Sequence, residues 1–332
     1  MKPYIYLCGH TGSMNRGCQA IASASTDILS SSGAENLQLL TYDAAYDRKL
    51  GLDRDIALLP YPKKSLFTRG INLLRKALLK DGSWGQTRLY DKLLAKENIA
   101  MTFCIGGDTY CYGTPNGNFA LNLSTQKHGI PNVLWGCSVD ERVLTDKKRL
   151  ADMQRYRHIV ARETLSYEIL RQCVTPEQSL WLACDPAFRL RTESVALPEG
   201  FLPGNTLGLN LSPLVFSNSE DLQDPMYRSA AHLIGRILDQ TDMNICLIPH
   251  VFDHKTSSQD LRVLKNLLSF FPNESRICIL DGDFSCHQIK HVISHCRFFI
   301  GARTHATNSS QKYCANIPSF YKEIFFPARR ST

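Results

Sequence analysis

One short stretch near the end of the chain decides how the rest can be interpreted: FFIGARTHA, residues 298–306. Its apolar first half is typical of a strand that is buried on both faces of a parallel sheet. Gly301 lets the backbone turn without a side-chain clash, and Thr304 is predicted to cap a following helix. The free N–H groups of that helix would then point in the same direction as the Arg303 guanidinium.

This turn carries a planar cation and a titratable imidazole two residues apart, at Arg303 and His305. Together with helix N–H groups, they suit a substrate that carries a carboxylate or a phosphate. The alternative is that Arg303 forms a structural ion pair and that His305 is a satisfied residue at the start of the helix. These nine residues alone leave both interpretations open.

The same strand-then-helix pattern extends along the chain. Strands alternating with helices indicate an α/β fold with parallel sheets covered on both sides. The apolar runs lie near residues 4–8, 37–42, 55–59, 100–105, 132–136, 158–161, 180–183, 206–211, 244–249, 276–280, 297–300 and 316–320.

The length of 332 residues exceeds the size at which a single core usually stops growing, so two domains are expected. A stretch with two prolines and two glycines interrupts the strand–helix rhythm at residues 193–205 and is predicted to be a linker. We therefore expect an N-terminal Rossmann-like domain over residues 1–192 and a C-terminal one over 206–332. The two domains are expected to face each other across a cleft.

Composition limits the class of protein. No apolar run approaches the ~20 residues of a membrane span, and the apolar start is too short for a signal peptide. The 12 cysteines form no C-x-x-C pair, so a reducing, cytoplasmic setting is expected. The net charge of +7 is moderate, and no basic motif interleaved with aromatic residues indicates binding of nucleic acid.

Polar loops after the predicted strands are the places to search for a site, because ligands bind beyond the carboxyl ends of strands in open α/β sheets. After the first strand, Asn15 and Gly17 lie in a glycine-rich segment that opens a helix, which suits an anion. This segment lacks the Lys-Ser/Thr pair of a Walker A loop and the G-x-G-x-x-G of dinucleotide sites. A helix cap at Asn15 and a surface charge at Arg16 are the simpler alternative.

Other strands of both halves are followed by further candidates. After residues 100–105, Gly106 and Gly107 would bring the backbone close to a ligand, although a plain tight turn explains them equally well. Asp108 then follows as a candidate base. Arg162 could bind an anion or pair with a neighbouring carboxylate. In the second half, Asn210 ends one predicted strand and His250 lies at the end of the next.

Metal binding is not expected from this sequence. Three histidines recur every fourth residue and so share one helical face, opposite an apolar face. That face is predicted to lie in solvent, where the remaining ligands of a metal would be missing. These histidines are His287, His291 and His295.

Several segments occur in an order known from one family: NRGCQAI (15–21), GGD (106–108), VARETLS (160–166), DPAF (185–188), LGLNLSP (207–213), IPH (248–250) and IGARTHA (300–306). Through them the chain resembles the polysaccharide pyruvyl transferases. The resemblance implies a glycosyltransferase-B-like fold. It also implies transfer of a pyruvyl group from phosphoenolpyruvate to a sugar of a polysaccharide or of its lipid-linked precursor. The product would be a cyclic ketal, with phosphate released and no cofactor required.

By position, Arg162 and the pair Arg303 and His305 match donor-binding and catalytic residues of the family. We therefore expect His305 to transfer protons, with Asp108 as a further catalytic candidate that takes a proton from the acceptor hydroxyl. The remaining assignments are donor binding by Arg162, Arg303, Thr304, Asn15 and Gly17, and contacts with the acceptor or the cleft by Gly106, Gly107, Asn210 and His250.

The resemblance also implies that the protein takes part in glycan assembly at the cytoplasmic side of a membrane. A predicted basic amphipathic helix over Lys63–Lys80 could contact anionic lipid there if the acceptor is lipid-linked. A packed helix with a solvated basic side is the simpler interpretation.

The family pattern usually continues beyond the point where this sequence stops, so the C-terminal end of the second domain is expected to be shortened or altered. Two alternatives for the function stay open. One is a glycosyltransferase on the same fold that uses a nucleotide-sugar donor, and the other is a degenerate, non-catalytic member of the family.

Overall fold

The computed structural model describes residues 3–62, 84–95, 98–216, 221–252, 259–303 and 305–306. The predicted helix Lys63–Lys80, the predicted cap Thr304, the run 316–320 and the C-terminal end therefore lie outside the described residues. The chain divides into two compact units. The N-terminal unit comprises residues 1–12 and 21–189, and the C-terminal unit comprises residues 13–20 and 190–332.

The N-terminal unit contains a parallel sheet. Its strand order is β3-β2-β1-β4-β5-β6-β7, so the order reverses beside β1. Every neighbouring pair is parallel. The strands are β1 (Tyr4–Cys8), β2 (Leu37–Thr41), β3 (Ala57–Pro60), β4 (Ile99–Cys104), β5 (Asn132–Cys137), β6 (His158–Ala161) and β7 (Ser179–Leu182).

Helices connect these strands, as a parallel sheet requires. The central strands are buried along most of their length, which explains their continuous apolar sequence. Helix α1 begins in the C-terminal unit and continues in the N-terminal unit. The helices are α1 (Arg16–Ser31), α2 (Ala44–Lys49), α3 (Trp84–Leu94), α4 (Asn116–Lys127), α5 (Arg142–Thr145), α6 (Lys147–Met153) and α7 (Thr164–Leu170).

The C-terminal unit contains a second parallel sheet, with the order β10-β9-β8-β11. Strands β8 and β9 are buried at every position. A reciprocal capping box between Ser285 and Gln288 starts the last helix. The elements are β8 (Thr206–Asn210), α8 (Pro225–Gln240), β9 (Asn244–Leu247), α9 (Asp260–Leu268), β10 (Ile277–Ile279), α10 (Cys286–Ser294) and β11 (Phe298–Gly301).

The predicted α/β class with parallel sheets is confirmed, and each predicted strand within the described residues is found within about two residues of its expected bounds. Within the described part of the chain, no helix has the length and apolar character needed to cross a membrane.

The C-terminal unit includes one short segment, residues 13–20, that the sequence did not place there. The sequence-based division assigned all of residues 1–192 to the first domain, whereas residues 13–20 belong to the C-terminal unit. The reason is backbone pairing: Asn15 forms an antiparallel bridge with Val251. In addition, the Phe252 N–H donates to the Met14 carbonyl at 2.9 Å. These contacts join residues that are far apart in sequence, so local patterns could not predict them.

The predicted linker, residues 193–205, contacts α10 of the C-terminal unit and the residue that follows this helix. The Glu193 N–H donates to the His287 carbonyl at 3.2 Å, and the Gly204 N–H donates to the His295 carbonyl at 2.9 Å.

Candidate functional site

The ends of β8 and β11 are joined through Asn210. The Ala302 N–H donates to the Asn210 carbonyl at 2.9 Å, and the Arg303 N–H donates to its side-chain Oδ1 at 3.2 Å. Strand order reverses between these strands, since β9 and β10 lie on the other side of β8. In open α/β sheets, ligands bind at such a switch point. Asn210 thus orients the turn that carries Arg303.

Asp260, the first residue of α9, holds this strand end together although it was not singled out from the sequence. One carboxylate oxygen accepts from Arg303 Nη2 at 2.7 Å and from Nε at 3.2 Å. The other accepts from the backbone N–H groups of His250 at 3.0 Å and Val251 at 3.1 Å. Burial raises the pKa of the Asp260 carboxyl above its ordinary value, while the Arg303 charge acts in the opposite direction.

The ion pair between Asp260 and Arg303 has a direct consequence for the predicted donor ligand. Arg303 does form the structural ion pair that the sequence left open as an alternative, and its side chain remains 20% exposed. The guanidinium is therefore held in one orientation while part of it stays accessible to solvent. Such pre-orientation favours planar, bidentate recognition of a carboxylate or phosphate.

His250 follows β9 and is buried. Burial is the main cause that lowers the pKa of its imidazole to about 3, and the charges of His305, Arg16 and Arg303 add to the effect. Its Nδ1 has no hydrogen-bond partner among the described residues. His250 is therefore neutral at neutral pH.

His305 lies directly against Gly17. A Cβ built on Gly17 would lie 2.8 Å from Cγ of His305 and closer still to Nδ1, so only glycine leaves room for this imidazole. The Gly17 N–H donates to the Asn15 side chain at 2.9 Å, which makes Asn15 the cap of α1. The helix-cap alternative for Asn15 is thus observed, and the glycine of the same segment accommodates the predicted catalytic histidine.

Arg16 is fully buried, so the sequence-based alternative of a surface charge is wrong. Its Nη2 lies 2.6 Å from an Asp283 carboxylate oxygen, and Nε donates to the Phe284 carbonyl at 2.5 Å. Its guanidinium lies 4.2 Å from the centre of the Phe252 ring. Burial of an arginine depends on a carboxylate that lies far away in sequence, and no local signal identifies that partner.

Arg162, at the end of β6 in the N-terminal unit, also has a carboxylate partner. Its Nη1 lies 2.9 Å from Asp185 Oδ2, and its Nε donates to Ser138 Oγ at 2.8 Å. Gly107 adopts a φ of 63°, and a Cβ there would lie 3.1 Å from Arg162 Nη1. The structure thus brings Gly107 and Arg162 together. Asp185 also accepts from the Ala187 N–H at 2.8 Å, as a cap does.

The remaining candidates after β4 lie in a tight turn. Thr109 Oγ1 donates to the Gly106 carbonyl at 3.1 Å, and a Cβ on Gly106 would overlap that hydroxyl. The Cys111 N–H donates to the Asp108 carbonyl at 2.9 Å. The tight-turn alternative therefore accounts for Gly106, while the Asp108 carboxylate is exposed to solvent.

The described residues contain no group of three His, Cys, Asp or Glu side chains that could hold a metal ion. In the predicted histidine face, the rings of His291 and His295 lie 4.4 Å apart, and His287 Nδ1 lies 2.9 Å from the Arg191 carbonyl oxygen.

A family model described as polysaccharide pyruvyl transferase matches residues 15–307 of the chain. That range contains every candidate residue discussed above. No curated protein matches the sequence significantly.

Solved structures with the same fold share little sequence with this chain. The UDP-GlcNAc 2-epimerase from Methanocaldococcus jannaschii has a TM-score of 0.58 at 14% identity, covering 93% of this chain and 81% of its own. S. aureus MnaA, solved with UDP, has a TM-score of 0.55 at 10% identity, covering 94% and 78%. The UDP-N-acetylglucosamine 2-epimerase from Rickettsia bellii has a TM-score of 0.52 at 11% identity, covering 93% and 76%. At these identities the likeness shows the glycosyltransferase-B-type fold alone.

Proposed function

The chain belongs to the polysaccharide pyruvyl transferase family, and we propose that it transfers the pyruvyl group of phosphoenolpyruvate to two hydroxyls of a sugar. In this reaction the enol methylene carbon gains a proton and becomes a methyl group. One sugar hydroxyl adds to the neighbouring carbon, the bond from that carbon to the phosphate oxygen breaks, and a second hydroxyl closes the ketal ring. Two hydroxyl protons are released: one replaces the proton that the methylene carbon gained, and the other leaves on the phosphate.

The observation that supports this proposal is the packing of the His305 imidazole against Gly17. Both residues lie in segments that carry the family resemblance, and a glycine is required where they meet. We assign to His305 the proton transfer to the methylene carbon, because an imidazole can both donate and accept a proton. His250 stays neutral because its pKa is lowered to about 3, so it is not assigned this role.

Arg303 is the proposed ligand of the donor in the same unit. Phosphoenolpyruvate carries a carboxylate and a phosphate, and either group can accept two parallel hydrogen bonds from a guanidinium. The ion pair with Asp260 leaves part of the Arg303 side chain accessible for such a contact. Arg162 stays a proposed second ligand, and it would have to bind the donor while paired with Asp185. Asp108 stays the proposed acceptor of the sugar hydroxyl proton.

Phosphate release from phosphoenolpyruvate, measured with a panel of galactosides and N-acetylmannosaminides as acceptors, tests the proposal. We expect His305→Ala to lower turnover by about 100-fold or more, because positioned acid–base groups contribute roughly that much. His232→Ala is the matched control, since His232 is exposed on α8 in the same unit. Unchanged phosphate release by His305→Ala, with the variant folded, would contradict the assignment.

A second measurement separates this function from its alternatives. A ligand that binds only the folded protein raises its thermal stability. We expect stabilisation by phosphoenolpyruvate. Stabilisation by a uridine-diphospho-sugar instead would favour a nucleotide-sugar transferase, and binding of glycan without any phosphate release would favour a non-catalytic member.

A further inference from the structure

A pocket of about 350 Å³ lies within the N-terminal unit, and none of the contacts described above explains it. Four of the residues that line the pocket lie at the ends of strands: Gly9 follows β1, Tyr42 follows β2, Tyr61 follows β3, and Cys104 ends β4. The sheet order reverses beside β1, with β2 on one side and β4 on the other. The pocket therefore lies beyond the carboxyl ends of the strands at the switch point, where open α/β sheets bind ligands. Its volume is in the range of about 300–1,000 Å³ that is usual for small-molecule sites.

Tyrosine rings form one wall of this pocket. The rings of Tyr42 and Tyr61 stack with their centres 4.2 Å apart and their planes at 22°. Tyr90 meets Tyr61 edge to face at 6.0 Å, and the hydroxyl oxygens of this pair lie 2.9 Å apart. Tyr42 is nevertheless 60% exposed. The wall is therefore an ordered aromatic stack whose outermost ring remains available to a ligand.

The rest of the described lining is uncharged and mixes apolar side chains, such as Leu121 and Pro115, with polar ones. None of the described residues that line the pocket is an Asp, Glu, Lys, Arg or His. Hydrogen-bonding groups come from amides and hydroxyls, including Gln86, Asn116 and Thr114. Among the described lining residues, a phosphate or carboxylate would meet no cation to offset the hydration that it loses. The pocket therefore suits a ligand that is neutral and carries hydroxyl groups.

Gln86 supplies an independent sign of a missing partner. Its side-chain Oε1 is buried and has no hydrogen-bond partner among the described residues. Buried amide oxygens are nearly always paired, because leaving one unpaired is costly. An amide oxygen accepts hydrogen bonds only, so its partner must be a donor such as a hydroxyl.

We propose that this tyrosine pocket binds a neutral hexopyranose ring of the acceptor glycan. Tyr42 stacks on the C–H face of the sugar, whose weakly positive hydrogens meet the negative face of the aromatic ring. The side-chain amide of Gln86, which lines the pocket, forms a hydrogen bond with a sugar hydroxyl. This proposal rests on the proposed function, because that function makes the acceptor a sugar. The choice of a neutral ligand with hydroxyl groups follows from the lining of the pocket.

Binding of simple glycosides to the full-length protein tests this site. The probes are methyl β-galactopyranoside and the methyl glycoside of N-acetylmannosamine, with a methyl glucuronide as the anionic counterpart. We expect the neutral probes to bind more tightly than the glucuronide. Tyr42→Ala and Gln86→Leu should each raise the Kd of the neutral probes about tenfold, the size expected for one stacking or hydrogen-bonding contact. Tyr42→Phe should keep wild-type affinity, because it retains the ring.

The matched control is Trp181→Ala, which removes an aromatic ring that is 50% exposed on β7 of the same unit and outside the pocket. It should leave the Kd of every probe unchanged. Binding of phosphoenolpyruvate is measured in parallel and should be unaffected by all of these variants.

The outcomes separate the two proposals. If neutral glycosides bind wild type and are weakened by Tyr42→Ala while phosphoenolpyruvate does not bind, the pocket assignment stands and the proposed reaction fails. If phosphoenolpyruvate is turned over but the Tyr42→Ala and Gln86→Leu variants bind the neutral probes as wild type does, the pocket assignment is overturned. Failure of every neutral glycoside to bind wild type would overturn it as well.

Discussion

Gly17 has no side chain, and the His305 imidazole occupies the space that a Cβ would need. At the residue scale this contact constrains the position of the proposed catalytic group. The same residue donates its N–H to the Asn15 cap, so the backbone there has little freedom to move away. A small change at position 17 should therefore act on the histidine.

We predict that Gly17→Ala displaces His305 and lowers turnover by at least about tenfold, since misplacement by about 1 Å can cost more than that. Overpacking should also lower the free energy of unfolding by about 1–3 kcal/mol. Gly235→Ala is the control, because a Cβ at this position of α8 meets nothing within 4 Å. That control should keep wild-type turnover and gain up to about 1 kcal/mol in stability. Wild-type phosphate release by Gly17→Ala would show that the contact does not matter for catalysis.

At the scale of elements, the N-terminus of α9 is bonded to the ends of three strands through one carboxylate. Asp260 contacts Asn210 at the end of β8, the His250 and Val251 N–H groups after β9, and Arg303 after β11. The helix and the sheet are thus connected at the switch point by charge-assisted hydrogen bonds, in addition to the apolar packing between them. Removing one of these hydrogen-bonding groups would leave its partners buried without that hydrogen bond.

We predict that Asp260→Asn lowers the free energy of unfolding by about 3–5 kcal/mol, because it leaves the Arg303 charge without its buried partner. Lys265→Ala in the same helix is the control. Lys265 pairs with Asp281 at 2.6 Å, but both side chains are about half exposed, so its loss should cost less than about 1 kcal/mol. Urea-induced unfolding measures both values, and equal small effects would argue against the role given to Asp260.

At the scale of the whole molecule, two buried groups give the two units opposite dependence on pH. In the N-terminal unit, burial raises the pKa of the Asp152 carboxyl from 3.8 to about 6. In the C-terminal unit, burial and nearby cations lower the pKa of His250 from 6.5 to about 3. The contribution of Asp152 to stability is fully present below pH 3.8 and is lost as pH rises through about 6. The contribution of His250 is fully present above pH 6.5 and is lost as pH falls towards about 3.

We predict that raising the pH from 4 to 6 weakens the N-terminal unit through Asp152 and strengthens the C-terminal unit through His250. Each effect is at most about 1.4 kcal/mol per pH unit. Asp260 acts against His250, since its pKa is also raised, so each effect is measured as a difference between wild type and Asp152→Asn or His250→Gln. All three tryptophans lie in the N-terminal unit, so their fluorescence follows that unit, and circular dichroism follows both. Differences of the same sign for both variants would contradict the prediction.

The sequence predicted the strands well because a strand buried on both faces needs a continuous apolar run, and such runs are visible locally. It also predicted that Asn210, His250 and Arg303 lie at or just after strand ends, and the carboxyl ends of parallel strands lie at one edge of a sheet. It did not identify Asp260 or Asp283 as ion-pair partners of Arg303 and Arg16. Nor did it single out the tyrosines of the pocket, because Tyr42 and Tyr61 follow different strands and Tyr90 lies in α3.

By itself, then, the amino-acid sequence determined the α/β class, the parallel sheets and the strand ends on which the candidate residues lie, because these follow from apolar periodicity and glycine turns between neighbouring residues. Only the tertiary structure decided that Arg16 is buried, that Arg162 and Arg303 have carboxylate partners, and that residues 13–20 pair with the strand end near Val251. These features depend on which distant segments pack together, because a side chain becomes buried or paired with a charge only through residues that are far away in sequence.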